Sequence, residues 1–257
     1  MFQNTIKSKF RRKQKIFSYW ITNFNLINLE IVLKLNVYDS FVVDLEHSSI
    51  CLNEVEKIIM LVDAYKLPTY IRVKKIDIKT IGKLLDLGAY GIIAPNINSD
   101  KDIRLLKEAI FYPPLGNRGV GLSRSTNHGL EFHEYYKNFN KSVSIIPMIE
   151  NVNAIKNLEK ILHYNKLIDC IMIGPYDLSA SLGDAGNFSS KKFKDCEKKI
   201  LFLAKKYKLS CGIHIVHTDK IDLKKFIKKG YNYFPFSTDT QIFIDGLHDK
   251  VKILKKY

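Results

Sequence analysis

The stretch VSIIPMIENVNAIKNLEKILHYNKLIDCIMIGPYD, residues 143–177, decides the fold. It contains two short apolar runs, Val143–Ile149 and Ile168–Ile173, separated by residues with helical spacing, Ala154–Leu162. Two such runs joined by a helix predict a βαβ unit, in which the two strands are parallel. Polar residues follow each run directly, so the carboxyl ends of both strands carry candidate functional groups.

The same alternation continues through the chain of 257 residues and predicts eight strands. They are Ile16–Ile21, Phe41–Leu45, Thr69–Val73, Gly91–Ala94, Val143–Ile149, Ile168–Ile173, Ser210–Ile215 and Tyr233–Phe236. Helical patterns lie between them, among them Leu52–Tyr65, Ile78–Leu87, Asp100–Phe111, Ala154–Leu162, Phe193–Lys206 and Asp222–Lys229. Eight such units in about 250 residues predict an α/β protein, a (β/α)₈ TIM barrel with a single domain over residues 1–257. An open doubly wound sheet is the alternative, but no G-x-G-x-x-G motif follows the first strand.

One segment, residues 112–129, breaks this alternation. It reads YPPLGNRGVGLSRSTNHG and has no periodicity. Long irregular connections in compact domains are usually functional, so the segment is predicted to take part in function.

The composition is that of a globular protein, with 46% hydrophobic and 26% charged residues. No apolar run is long enough to span a membrane, and no apolar signal core follows the basic N-terminus. These features predict a cytoplasmic protein. The four cysteines form no CxxC pair, which favours reduced thiols over a zinc or redox site.

The net charge of +15 raises the possibility of nucleic-acid binding. Against it, only six of the 41 basic residues are Arg, and the lysines are scattered over helical stretches such as Lys191–Lys206. This pattern is typical of solvated outer helix faces, so we expect no nucleic-acid partner.

Ionisable and hydrogen-bonding residues close or follow the predicted strands, where the active sites of such barrels lie. They include Asp44, His47, Arg72, Asn96, Glu150, Asp177 and His214. Glu150 and Asp177 end adjacent strands and are candidate ligands of a hard cation. Mg²⁺ or Mn²⁺ fits better than zinc because no Cys or His cluster accompanies them. A helix-capping role for Asp177 is the alternative.

Three further residues of this rim have two interpretations each. Arg72 lies in an apolar run and needs an anionic partner, either a substrate oxygen, which we favour, or a structural carboxylate. His47 lies three residues after Asp44, which we expect to orient it as a general base or acid. His214 is either a substrate contact or a core histidine.

Several blocks, in this order, resemble the metal-dependent 2,4-dihydroxyhept-2-ene-1,7-dioate aldolase and 2-dehydro-3-deoxyglucarate aldolase family. They are FVVDLEHS (41–48), LLDLGAYGIIAPNINS (84–99), FYPPLGNRGVGLSR (111–124), MIENVNAIKNLEKIL (148–162), IMIGPYDLSASLG (171–183) and FPFSTDTQIF (234–243). The similarity covers residues from about 16 to 245.

The resemblance implies class II aldol chemistry, in which a 2-oxo acid such as pyruvate and an aldehyde are joined or released. It implies that Glu150 and Asp177 hold a divalent metal, Mg²⁺, Mn²⁺ or Co²⁺. The substrate carboxylate would lie at Gly174 and the backbone N–H groups of Tyr176 and Asp177, and Arg72 would bind the carbonyl oxygen. His47 and Asp44 would serve the proton steps, and Arg118 or Arg124 would bind the second substrate.

The resemblance also implies a homo-oligomer, a trimer or hexamer that exchanges the C-terminal helix within residues 242–257. The sequence departs from the family at two pocket positions: Met148 stands where many members carry Gln, and Asn96 stands where Met is usual. Three other functions stay open: an acyl-CoA lyase of the citrate or malyl-CoA lyase type, a non-catalytic barrel in a biosynthetic cluster, and a basic RNA-binding protein.

Overall fold

Eight parallel strands form a closed barrel in the computed structural model, which describes residues 4–218 and 222–255. The strands pair in chain order, and the last closes on the first. They are β1 Ile16–Ile21, β2 Ser40–Asp44, β3 Thr69–Arg72, β4 Gly91–Ala94, β5 Ser144–Ile149, β6 Cys170–Ile173, β7 Ser210–Ile213 and β8 Tyr233–Pro235. Each predicted strand coincides with one of these to within two residues at either end, so the predicted barrel is confirmed.

Helices cover the outside of the barrel and connect its strands. They are α1 Thr5–Arg11, α2 Leu26–Leu35, α3 Leu52–Ala64, α4 Ile78–Asp86, α5 Asp100–Ile110, α6 Phe132–Ser142, α7 Val152–Lys156, α8 Leu158–Leu162, α9 Pro175–Ser181, α10 Lys191–Lys206, α11 Leu223–Lys229 and α12 Asp239–Leu254, with a 3₁₀ helix at Arg124–Gly129. The helix predicted over residues 154–162 is divided into α7 and α8. Among the described residues, none of these helices is both long and apolar enough to cross a membrane.

Side chains alternate between the inside and the outside of the barrel, as the period of two along a strand requires. The inward positions pack into a core of their own, which includes Trp20, Val42, Tyr70, Met148 and Met172. The outward positions pack against the helices in a larger apolar core. The next inward position beyond Val42, Tyr70 and Met148 lies at the carboxyl end of its strand, and there the side chains become polar.

Helix α1 closes the opposite, amino-terminal end of the barrel. Asn4 donates to the backbone oxygens of Tyr90 and Ser142 and accepts from the Tyr70 hydroxyl at 2.9 Å. Lys7 donates to the Val143 oxygen at 2.6 Å and pairs with Asp169 at 2.8 Å. This plug did not follow from the sequence, in which the segment reads only as a basic terminus.

The irregular segment 112–129 lies at this same amino-terminal end, because it follows the C-terminus of α5. Arg118 pairs with Asp86 at 2.6 Å and stacks over the rings of Tyr112 and Phe139. In a (β/α)₈ barrel, loops that lead from a helix to the next strand lie away from the active-site face. The expectation that segment 112–129 takes part in function is therefore corrected. In this chain the segment connects α4 with α5 and α6 through side-chain contacts.

We expect Asn4→Ala to lower the free energy of unfolding by about 2 kcal/mol, because it removes the acceptor of the Lys7 N–H and the shorter of the two hydrogen bonds of the buried Tyr70 hydroxyl. Urea denaturation followed by circular dichroism measures this change. Asn28→Ala, an exposed asparagine of α2, is the matched control and should change stability little. Equal effects of the two substitutions would contradict the structural role of the plug.

Candidate active site

Inward-facing polar residues meet at the carboxyl ends of the strands. Asp44 ends β2, Arg72 ends β3, Glu150 follows β5 and His214 follows β7. Gly174 follows β6 and is the N-cap of α9, which carries Asp177 in its first turn. The structure therefore brings together most of the residues that the sequence singled out.

A buried ion pair connects β2 and β3 at this rim. Arg72 donates through Nε to Asp44 Oδ1 at 2.8 Å and through Nη2 to Oδ2. Trp20 Nε1 donates to the same carboxylate at 3.3 Å, and the Arg72 guanidinium lies over the Trp20 ring at 5.0 Å. Burial opposes ionisation of Asp44, but the hydrogen bonds and charge of Arg72 hold its pKa below the ordinary value. Arg72 therefore pairs with a structural carboxylate. This was one of its two predicted partners, and the one that we favoured less than a substrate oxygen.

The expected orientation of His47 by Asp44 is wrong. Asp44 Oδ1 accepts a hydrogen bond from the backbone N–H of His47, at 3.2 Å, and not from its imidazole ring. The imidazole is 62% exposed, and its Nε2 lies 3.9 Å from Glu46 Oε2. Glu46 also lies 3.3 Å from Arg72 Nη1, so it links the buried guanidinium with the exposed imidazole. Burial raises the pKa of Glu46, although the charge of Arg72 lowers it.

Glu150 is the most perturbed carboxyl group of the rim. It is 3% exposed; Oε1 accepts the Asn96 N–H at 2.6 Å, whereas the buried Oε2 has no hydrogen-bond partner among the described residues. Burial raises its pKa to about 7, with further contributions from the negative charges of Asp177 and Glu46 and an opposing one from the Asn96 hydrogen bond. A buried carboxylate oxygen without a partner is costly unless a cation or a donor supplies one.

The surroundings of Glu150 Oε2 fit a divalent cation. A Cβ atom at position 174 would overlap Oε2 and approach Met148 Cε to 3.2 Å, so a side chain there would displace the Glu150 carboxylate. Asp177 is exposed on the first turn of α9, and Gly174, not Asp177, caps that helix. Within residues 4–218 and 222–255, no group of three or more His, Cys, Asp or Glu residues is arranged to hold a metal ion. The two carboxylates would therefore leave the remaining positions to water and substrate.

The two departures from the family pattern also line this region. Met148 is buried inside the barrel next to Glu150 and Gly174. Asn96 adopts a positive φ of 55°, a conformation that asparagine tolerates better than most residues, and this turns its backbone N–H toward Glu150. Its side-chain amide lies 3.5 Å from Glu46 Oε1.

The remaining predicted substrate contacts differ in placement. The ring of Tyr176 is 44% exposed and packs edge-on against Phe188 at 5.1 Å. Arg124 does not reach the rim: it pairs with Asp63 at 2.6 Å and donates to the Leu87 oxygen at 3.0 Å, at the C-terminal ends of α3 and α4. Its predicted role in substrate binding is corrected for this chain, because those helix ends lie on the amino-terminal face of the barrel.

The protein-family model HpcH/HpaI aldolase/citrate lyase matches residues 19–246. The chain belongs to this family. A 5-keto-4-deoxy-D-glucarate aldolase of Shigella boydii is 26% identical over 100% of the chain and 98% of its own length. A hydroxypyruvate/pyruvate aldolase of Rhizorhabdus wittichii is 31% identical over 71% of each chain. The predicted family is confirmed.

Solved structures of the family share the fold. An HpcH/HpaI aldolase/citrate lyase family protein from Burkholderia cenocepacia superimposes with a TM-score of 0.91, over 98% of this chain and all of that one, at 22% identity. At this identity the likeness establishes only the barrel fold. The residues that bind ligands have to be inferred from the side chains of this chain.

Two members of the site were not assigned by the sequence. Glu46 stands next to His47 and was not given a role, and Trp20, the single tryptophan of the chain, was counted only as part of a strand. A usable signal was present: Trp20 occupies an inward position one residue before the end of β1, in the layer next to the polar residues of the other strands.

The buried charge of Glu150 should destabilise the protein without bound metal. Because its pKa is about 7 in the folded protein and 4.5 otherwise, the folded state holds an extra proton between these values. The free energy of unfolding should thus fall by about 3 kcal/mol as the pH rises through this range. Glu150→Gln should be more stable than the wild type at pH 8 by about this amount and should lose this part of the pH dependence.

Urea denaturation in EDTA at pH 5 and pH 8 measures both effects. Glu134→Gln, an exposed glutamate of α6 away from the rim, is the matched control and should leave the pH dependence of stability unchanged. If the wild type and Glu150→Gln have the same pH dependence, the Glu150 carboxylate is not buried as described.

Proposed function

We propose that the chain is a metal-dependent aldolase that forms or cleaves a 4-hydroxy-2-oxo acid, with pyruvate or a related 2-oxo acid as one partner and an aldehyde as the other. The single observation that carries this proposal is the buried, unpartnered oxygen of Glu150, with Asp177 and Arg72 close enough to affect its pKa. Two carboxylates can bind a cation, and a guanidinium near them can bind the negatively charged oxygen atoms of a substrate that the cation also binds. The curated relatives named above are aldolases, which agrees with this chemistry.

Glu150 and Asp177 would hold Mg²⁺, Mn²⁺ or Co²⁺. When bound, such an ion acts as a Lewis acid that stabilises negative charge on the oxygen atoms of a 2-oxo acid. The backbone N–H groups of Tyr176 and Asp177, next to Gly174, would bind the carboxylate of that acid.

Arg72 would bind the carbonyl oxygen on which negative charge develops. Asp44 and the Trp20 ring fix the guanidinium in place, so that its orientation exists before the substrate arrives. Preorganised donors of this kind stabilise a developing oxyanion more than mobile ones do.

His47 would move the proton at the second substrate. In the cleavage direction its imidazole takes the proton of the C4 hydroxyl group while the C3–C4 bond breaks; in the synthetic direction it returns that proton to the new alkoxide. Its exposure places it at the mouth of the site, where an aldehyde enters, and Glu46 rather than Asp44 is the carboxylate beside it.

The proposal predicts metal-dependent exchange of the pyruvate methyl protons with deuterium, followed by proton NMR in the presence of Mg²⁺. Exchange should stop with EDTA and should fall at least a hundredfold in Glu150→Gln. The variant loses one of the two carboxylates that would hold the ion, and the ion would stabilise negative charge in the transition state. Glu159→Gln, an exposed glutamate of α8 paired with Lys206, is the matched control and should exchange normally. Exchange that persists in EDTA, or in Glu150→Gln, would refute the metal assignment.

We further propose that the chain forms a homo-oligomer through α12. None of the described residues of this 16-residue helix is buried, and its apolar side chains include Phe243, 64% exposed, and Leu254, 72% exposed. An apolar stripe also lies on the outer face of α2, at Ile27, Ile31 and Leu35. Such faces usually mark contacts between proteins. Exchange of the C-terminal helix between subunits would cover them; residues 256–257 of the predicted tail lie outside the described residues.

Replacement of Phe243 and Leu247 together by Ser should therefore lower the oligomeric state, since two apolar contacts are lost from each subunit. Size-exclusion chromatography with light scattering measures the mass as a multiple of 29.8 kDa. Lys250→Ser, on the same helix, should leave that mass unchanged. A wild-type protein that is monomeric at micromolar concentrations would contradict the proposal.

A further inference from the structure

The Glu150 carboxylate is held by the backbone at each of its two oxygen atoms. Oε1 accepts the N–H of Asn96 at 2.6 Å. Oε2 lies against Gly174, at which an added Cβ atom would overlap it. Gly174 is the N-cap of α9, and Asp177 lies in the first turn of that helix. The hydrogen bond to Oε1 therefore leaves Oε2 as the oxygen that faces the start of α9, on the side of Asp177.

The N–H of Asn96 reaches Oε1 because the backbone is left-handed at this residue. The φ angle of Asn96 is 55°. Glycine adopts such an angle freely and asparagine adopts it at low cost, whereas β-branched residues rarely do. Asn96 comes two residues after the end of β4, so its backbone conformation sets the direction in which the chain leaves that strand.

A second asparagine holds this turn in place. Asn98 donates from Nδ2 to the backbone oxygen of Asn96 at 2.7 Å. The backbone oxygen of Asn98 accepts from Nδ2 of Asn157, between α7 and α8, at 2.9 Å. The backbone N–H of Asn98 donates to Asp102, in the first turn of α5, at 2.8 Å. The turn is thus bonded to the elements around it and is oriented before any cation binds.

The side chain of Asn96 contributes less than its backbone. The residue is exposed, and its amide nitrogen lies 3.5 Å from Glu46 Oε1, which is long for a hydrogen bond. The contact with Glu150 comes from the backbone N–H, which every residue except proline has. The conformation at position 96, and not the amide group, is therefore what holds the carboxylate.

We propose that Asn96 and Asn98 are positioning residues for the cation: the left-handed backbone at Asn96, held by Asn98, directs Glu150 Oε2 toward the metal and so sets the metal affinity. This inference rests on the proposed function, because it concerns the ion that Glu150 and Asp177 would hold. Both asparagines act through Glu150 and not by contact with the ion.

Position 96 allows the backbone and the side chain to be tested separately. Asn96→Gly keeps the left-handed conformation and removes the amide, whereas Asn96→Val disfavours that conformation. Asn36 provides the matched control: it has a φ of 51° at the C-cap of α2, at the amino-terminal end of the barrel. Asn36→Val therefore introduces the same backbone strain away from the site.

Electron paramagnetic resonance of free Mn²⁺ gives the Kd for Mn²⁺ alone, which does not depend on turnover. Circular dichroism melts establish that each variant folds. We expect Asn96→Val to raise this Kd about tenfold, or about 1.4 kcal/mol, because binding of the ion then has to restore a strained backbone. Asn96→Gly should stay within about twofold of the wild type. Asn36→Val should lower stability and leave the Kd unchanged.

Asn98→Ala tests the same turn without a change at position 96. It removes the side-chain hydrogen bond to the Asn96 oxygen and should raise the Kd for Mn²⁺ about threefold, as expected for one neutral hydrogen bond. This variant decides the matter if Asn96→Val does not fold.

An unchanged Kd in folded Asn96→Val, or in Asn98→Ala where Asn96→Val does not fold, would overturn this inference and leave the proposed function standing. An equal rise in Asn36→Val would overturn it as well, since general strain would then be the cause. A rise in Asn96→Gly as large as that in Asn96→Val would assign the effect to the amide group and contradict the role of the backbone. A wild type that does not bind Mn²⁺ would overturn the metal site of the proposed function itself, and this inference with it.

Discussion

The site depends on one constraint: a carboxyl group is buried at the end of β5 with one of its oxygens unpartnered. Among the described residues Glu150 has a single hydrogen bond, from the Asn96 backbone, and burial together with neighbouring carboxylates raises its pKa to about 7. Such an arrangement costs stability, and proteins retain it where a ligand supplies the missing partner. The glycine at position 174 and the left-handed turn at Asn96 both accommodate this carboxylate.

The rest of the rim is organised around this charge. Asp44 neutralises Arg72 and fixes it on Trp20, so that the guanidinium is oriented without being drawn into a direct pair with Glu150. Glu46 and His47 lie farther out, toward solvent. The barrel closed below by α1 provides a rigid base for these groups, since the inward side chains of β1 to β8 form a packed core beneath them.

The sequence predicted the barrel well because its strands are short apolar runs with clear boundaries, and it predicted Glu150 and Asp177 because they follow two such runs. The assignment of Glu150 and Asp177 as metal ligands stays a prediction. The sequence could not predict contacts that depend on side-chain direction. The spacing of Asp44 and His47 suggested a pair, but Asp44 faces inward to Arg72 while His47 faces solvent. Likewise, Arg124 lies in a segment of unusual composition, yet the topology places that segment at the amino-terminal end of the barrel. Glu46 and Trp20 gained their roles only from the three-dimensional arrangement.

The most direct test of the metal centre is a crystal of the protein grown with Mn²⁺ and pyruvate, with data collected at the manganese absorption edge. The account predicts one strong anomalous peak between Glu150 Oε2 and Asp177, with pyruvate oxygens on its side toward Arg72. Both carboxylates should bind the ion directly through oxygen. A map without a peak at Glu150, obtained at millimolar Mn²⁺, would contradict the account.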